Sequence, residues 1–167
     1  MEFIIRQERA RDVEQVRILL QAAFATDAES KLVDALRVNG KAVIALVAVC
    51  AEDVLGHILF SPVITSPSGE AKGIGLAPVA VLPGAQSQGI GSQLVITGLQ
   101  LCQELGFDYC VVLGSPEYYH RFGFEAASNY NLENEYGAGE EFMVVRFTNL
   151  VVSGLVRYSS EFALFSV

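Results

Sequence analysis

The chain has 167 residues, 51% of them hydrophobic and 18% charged, which is ample material for the packed core of one domain. Its 11 Lys and Arg against 19 Asp and Glu leave a formal charge of -8, a field that repels phosphate backbones and anionic lipid and argues against nucleic acid or a membrane as partner. Three cysteines, Cys50, Cys102 and Cys110, make no C-x-x-C pair and the chain has only two histidines, so free thiols in a reducing cytoplasm are expected rather than a disulfide scaffold or a metal site.

Residues 3–6 form a short apolar run suited to an edge strand, with neither the basic and apolar pattern of an export signal nor, anywhere in the chain, about 20 apolar residues in a row. Asp12-Val13-Glu14-Gln15 has the spacing of a capping box, so a helix should begin there. Val13, Val16, Leu19, Leu20, Ala23 and Phe24 then recur at three- and four-residue steps, the mark of one buried helical face. A second helix is expected over 28–37, with Leu32, Val33 and Leu36 on one side and Asn39-Gly40 as its stop. Residues 42–51 and 54–65 read as two antiparallel strands joined by a tight turn at Glu52-Asp53 and ended at 66–69. Apolar runs this continuous imply strands covered on both faces, hence a sheet between helices.

A further strand is expected over 73–82 and a helix over 92–105, with Leu94, Val95, Gly98, Leu101, Cys102 and Leu105 inward and Gly106 as stop. With a strand at 109–113 this makes a β-α-β unit, whose strands should be parallel and whose crossover should be right-handed. Residues 116–121 suit a short helix that starts on a proline, Gly123-Phe124 the beginning of a return strand, 129–140 a long polar loop and 142–147 another strand. The last twenty residues carry no readable pattern, so the expectation is one domain over 1–167 in which 148–167 is an extension of uncertain structure.

Leu82-Pro83-Gly84-Ala85-Gln86-Ser87-Gln88-Gly89-Ile90-Gly91-Ser92 joins a buried strand to a helix start, where free N–H groups and the helix dipole favour an anion. Gly89 and Gly91 allow close backbone approach, but a Walker A loop would need Gly-Lys-Ser/Thr and a dinucleotide fingerprint a third glycine. By itself the glycine pair fits a bare tight turn as well as a phosphate site.

Gln86-Ser87-Gln88-Gly89-Ile90-Gly91 resembles the Gln/Arg-x-x-Gly-x-Gly/Ala signature of the GNAT N-acetyltransferase superfamily, and Tyr118-Tyr119-His120-Arg121-Phe122-Gly123-Phe124 resembles the family's late tyrosine-x-x-x-Gly-Phe element. Together with Gly56-His57-Ile58-Leu59-Phe60-Ser61, Leu76-Ala77-Pro78-Val79-Ala80-Val81 and Val112-Leu113-Gly114-Ser115-Pro116, these segments look like the YhbS-like subgroup. The resemblance implies an α/β fold with a mixed, mostly antiparallel sheet of about six or seven strands flanked by helices and splayed between its fourth and fifth strands. It implies acetyl-CoA as cosubstrate and no metal, with pantetheine beside the backbone of Val79, Ala80 and Val81. Pyrophosphate would lie on the N–H groups of Gln86, Ser87, Gln88, Gly89, Ile90, Gly91 and Ser92, and an N–H near Val81 would hold the oxyanion. The acceptor would be an amine, on a small molecule or on a peptide or protein, and the protein a cytoplasmic monomer or homodimer; an acidic surface is a weak pointer toward a cationic acceptor.

Tyr119 stands four residues before Gly123, where the family pattern places the general acid for the departing thiolate; a phenol near its reference value of about 10 keeps its proton at neutral pH. Tyr118 is the alternative acid, and aromatic packing the bland reading of the pair. No general base stands out: His57, Glu117, His120 and Ser115 each have a structural reading beside a catalytic one, and Cys110, midway along an apolar strand, reads as inert core. The rival function is a non-catalytic acyl-CoA-binding or regulatory module on the same fold.

Overall fold

A computed structural model describes residues 2–67, 70–149 and 152–165. Ser68 and Gly69, the end of the turn expected at 66–69, lie outside the described residues, as do Leu150, Val151, Ser166 and Val167 of the C-terminal segment. The strands form a mixed α/β sheet, mostly antiparallel and flanked by helices. The chain divides into two compact units, one of residues 1–60, 77–98 and 160–167 and the other of 61–76 and 99–159.

In the first unit β1 (Ile4–Gln7) pairs antiparallel with β2 (Ile44–Cys50), and β2 with the first part of β3 (Asp53–Ser66). The turn between β2 and β3 is tight and places Ala51 at φ +56°. Helices α1 (Val13–Ala23) and α2 (Ala28–Val38) bury Val16, Leu19 and Leu20 and Leu32, Val33 and Leu36, while the flanking Val13, Ala23 and Phe24 are only half-buried. The helix starts where the sequence puts it, but not through the expected capping box. Asp12 makes no side-chain cap to α1; its carboxylate is taken by the Arg6 guanidinium at 2.7 and 2.9 Å and by the Arg9 N–H at 2.7 Å. Gln15 turns away from the cap to bond Glu52 O and Val54 N, since a charged fork close by outcompetes a backbone amide for the carboxylate.

The second part of β4 (Gly73–Val81) and the first half of α3 (Ile90–Glu104) complete this unit. Gly56 brings β3 and α3 together: a Cβ there would stand 2.9 Å from Ile90 Cγ2, 3.0 Å from Leu94 Cδ1 and 3.3 Å from Ala80 O. On α3 Leu94, Val95 and Cys102 are buried as expected, whereas Leu105 falls beyond the helix and is 57% exposed.

In the second unit the order is β4-β5-β8-β6, with β5 (Tyr109–Leu113), β6 (Glu125–Ala126) and β8 (Phe142–Arg146). β4 and β5 are parallel, as the β-α-β reading requires, and β8 is antiparallel to both β5 and β6. The expected return strand at Gly123-Phe124 is shorter and later than predicted: Gly123, at φ +93°, makes the turn and only Glu125–Ala126 pair. The long polar stretch is not all loop, since β7 (Leu132–Asn134) lies parallel to β9 (Gly154–Tyr158). β9 also pairs with Val63 to Ser66 of β3, so this part of the unreadable C-terminal segment is a strand, and α5 (Glu161–Leu164) belongs to the first unit. Nine strands are thus formed among the described residues, the excess over seven coming from β7 and β9, in segments where the sequence shows no strand period.

Candidate active site

The β4–β5 ladder holds three pairs, Gly73↔Tyr109, Ile74↔Cys110 and Gly75↔Val111. β4 continues to Val81 and β5 to Leu113, so the pairing ends at Gly75 and Val111, well before the end of β4 and just before that of β5.

At the end of β4 the Leu82 N–H donates to Leu55 O of β3 at 2.9 Å. Alternation along a strand then directs the Val81 N–H to the opposite edge, and that of Val79 with it, while Ala80 O lies on the β3 side near Gly56. The following loop is built by its backbone. A single turn of tight helix at Pro83–Ala85 buries Ala85, and Gln86 Nε2 reaches back to Val81 O at 3.3 Å. Ser87 and Gly89 both take left-handed backbone angles, φ +64° and +83°. Gln86, Ser87, Gln88 and Gly89 are all exposed, and a Cβ on Gly84 or Gly89 would meet no protein atom within 4 Å, so the outer side of the loop is open to a ligand. Ile90, fully buried, anchors the start of α3. The helical ladder begins with Gln93 N–H to Gly89 O at 3.0 Å, so it leaves unused the N–H groups of Gly89, Ile90 and Gly91 at the positive end of the helix dipole; Ser92 follows in the same first turn. This geometry suits a diphosphate, and it is made of the residues expected from the sequence.

Tyr119 lies in the second unit, on α4 (Pro116–His120), and is 8% exposed. Its ring packs edge-on to Tyr118 at 5.0 Å and to Phe124 at 5.6 Å, and lies 6.3 Å from Phe122. It also presses on Gly114, where a Cβ would overlap the ring. Burial, then the neighbouring Tyr118 and Cys110, pushes the Tyr119 phenol up to about 12, so it keeps its proton throughout the neutral range. Tyr118 is half-buried under the Arg121 guanidinium, 4.4 Å from its ring centre.

The other candidates separate cleanly. His57 is fully buried on β3, its Nε2 3.2 Å from Glu8 Oε1 but outside hydrogen-bond geometry. Burial lowers its pKa against the opposing pull of Glu8, so it is a neutral core histidine rather than a solvent-reaching base. Burial would raise the Glu8 carboxyl, but the Arg37 guanidinium, bonded to it at 2.5 and 3.0 Å, helps to outweigh that and hold it at about 2. Glu117 and His120 are exposed, with His120 Nδ1 3.3 Å from Phe124 O. Ser115 occupies the cap position of α4 without a side-chain cap. Cys110 and Cys102 are fully buried and Cys50 half-buried, and burial pushes the Cys110 thiol well up, as expected of an inert thiol. Sequence reasoning missed the roles of Gly56 and Gly114, each a glycine inside an apolar run, the one signal available for a close approach.

Residues 4–127 match the Acetyltransferase (GNAT) domain family. The chain belongs to the GNAT acetyltransferase family. It is 38% identical to the uncharacterised N-acetyltransferase YhbS of Escherichia coli K12 over 167 residues, 97% of this chain and 99% of that protein. The crystal structure of E. coli YhbS in complex with CoA superposes with a TM-score of 0.92 at 36% identity, over 98% of this chain and 93% of that one. A GNAT acetyltransferase of Brucella melitensis in complex with acetyl-CoA gives 0.83 at 35% identity, over 96% and 98%. Among the described residues no helix is long and apolar enough to cross a membrane.

Proposed function

We infer that this GNAT protein is an enzyme that transfers an acetyl group from acetyl-CoA to a primary amine, by direct attack within a ternary complex. The observation that carries the reading is the loop after β4, with left-handed Gly89, an open outer side and the N–H groups of Gly89, Ile90 and Gly91 left outside the helical ladder. The CoA and acetyl-CoA held by the two crystallographic relatives support the same choice of cosubstrate. The N–H groups of Gln86, Ser87, Gln88, Gly89, Ile90, Gly91 and Ser92 would bind the diphosphate, the backbone of Val79, Ala80 and Val81 would line the pantetheine, and the Val81 N–H would stabilise the thioester oxyanion. Tyr119 would protonate the departing thiolate. No metal is called for, the acceptor is a small-molecule or peptide amine, and the site of action is cytoplasmic.

A second reading, a module that binds acyl-CoA without turnover, draws on the dense aromatic packing of Tyr119. Thiol release against a panel of amines and peptide N-termini, measured beside acetyl-CoA affinity, separates the two. Binding with release to some acceptor supports the enzyme; binding without release to any supports the module.

A further inference from the structure

In the second unit the end of β5 leaves the main chain of one residue without a partner. The Gly114 N–H donates to Glu141 O at 2.9 Å, so by alternation the main-chain groups of Val112 and Gly114 face β8 and those of Leu113 face the other edge of β5. Phe142, which stands opposite Leu113, sends its own N–H to Gly139 O at 3.0 Å. On the other edge the ladder to β4 runs out. A rung from the Leu113 N–H to Leu76 O would add the pair Leu76↔Val112 to the register, and that pair does not form. A rung to Leu113 O would need a donor at position 78, and Pro78 has no N–H. Among the described residues no other group bonds to the Leu113 N–H or C=O.

This peptide stands beside the proposed acid. The Leu113 carbonyl carbon is bonded to the Gly114 nitrogen, and a Cβ on Gly114 would overlap Tyr119 Cε2 and stand 2.8 Å from Cδ2 and 3.4 Å from Cζ, the carbon that carries the phenol oxygen. The Leu113 side chain is 37% exposed, so the strand end reaches solvent where the preceding residues 109–112 are buried. Strand carbonyls are almost always paired, and one left over at such a place is open to a donor from a ligand.

We propose that Leu113 O positions the acceptor, taking one N–H of the neutral amine and turning its lone pair toward the thioester. This rests on the transferase reading above. The lone pair forms the C–N bond to the thioester carbon, the C–S bond breaks, and the Tyr119 phenol protonates the thiolate. One of the two protons of the primary amine then restores the phenol, and the other stays on the amide product, still bonded to Leu113 O. Positive charge gathers on nitrogen during the attack, so its bond to the carbonyl dipole tightens in the transition state.

The test puts glycolic acid in place of Gly114 by chemical ligation, which turns the Leu113 carbonyl into that of an ester, a weaker acceptor, and removes the Gly114 N–H. A control with phenyllactic acid in place of Phe142 weakens the same Gly114–Glu141 bond from the other side and leaves Leu113 O as it is. Thiol release from acetyl-CoA is followed at about pH 9, where more of an alkylamine is neutral, with n-butylamine, a lysyl tripeptide and aniline as acceptors. The Gly114 ester should lower kcat/KM for the amines about tenfold and keep acetyl-CoA affinity within about twofold of the native chain, while the Phe142 ester should move neither by more than about twofold. In the native chain with CoA bound, n-butylamine should shift the carbon-13 resonance of the Leu113 carbonyl along a saturating curve, a measurement that stands even where an ester fails to fold. Equal losses in the two esters would reduce Leu113 to part of the β5–β8 pairing, a loss of acetyl-CoA affinity would give the carbonyl to a pantetheine amide, and a silent carbon-13 resonance would mean that no amine meets it; each overturns the proposal. Turnover that the Gly114 ester leaves unchanged defeats this proposal alone, whereas a native chain that binds acetyl-CoA yet releases thiol with none of the three acceptors defeats the transferase reading and the proposal together.

Discussion

The loop at 82–92 and the corner around Tyr119 make their functional groups in opposite ways. The loop offers backbone N–H groups, shaped by Gly89 at φ +83° and anchored by the buried Ile90, while its own side chains at 86–88 stand in solvent. The corner offers one phenol, held by rings on three sides and by the missing Cβ of Gly114. A site made of backbone depends on conformation and tolerates side-chain change. A site made of one side chain depends on packing, and its chemistry disappears with a single oxygen.

The sharpest way to break the contrast is Tyr119→Phe, which keeps the packing and removes only the oxygen. Turnover should fall about 10²–10⁴-fold while acetyl-CoA affinity stays within about twofold, because the proton is wanted in the transition state. Equal loss of affinity and turnover would instead make Tyr119 a binding or packing residue. Next in size is Gly114→Ala: its methyl overlaps the Tyr119 ring, so overpacking should cost about 1–3 kcal/mol of stability and lower turnover through the displaced phenol, read from denaturant unfolding and thiol release.

In the loop the penalty should follow backbone angle and not bulk. Gly89→Ala meets no protein atom but must hold a left-handed φ, at about 1–2 kcal/mol, so acetyl-CoA affinity should fall about tenfold with stability otherwise kept. Gly89→Asn, which tolerates that region better, should lose less. Equal losses for Ala and Asn would mean that space for the ligand, rather than φ, decides the position.

The smallest effect concerns acid, and separates the first unit's ionic support from the uncharged tyrosine corner. Glu8 sits at about 2 in the folded chain against an ordinary 4.5, so its ionised form contributes stability above about pH 4.5 that is lost as pH falls toward 2. His57, lowered by burial, acts in the same direction, its share fading as pH drops below its ordinary 6.5. Melting temperature should therefore decline from neutral pH into acid. Glu8→Gln should lower it at pH 7 and flatten its fall between about pH 4.5 and 2; an unaltered slope would remove Glu8 from the acid response.

Much of the fold was legible because long apolar runs have few ways to be buried. The strand at Tyr109–Leu113 and the parallel pairing of β4 with β5 follow from runs and an intervening helix period alone. The conformation of the loop at 82–92 was legible too, since a strand, a glycine pair and a helix start state it in local terms. The capping box at Asp12 misled because its carboxylate had a stronger suitor in Arg6, six residues away and on another element. β7 and β9 were hidden because their partners, not their composition, make them strands.

The sequence by itself determined the family, the order of the main strands and helices, and the loop at 82–92 that leaves backbone amides open at the start of α3, because each of these is written in residues near one another. Only the tertiary structure decided that His57 is sealed in the core beside Glu8 and that Gly114 makes room for the Tyr119 ring. Those outcomes turn on distances of a few ångströms between segments distant in the chain, and pairing, not periodicity, sets them.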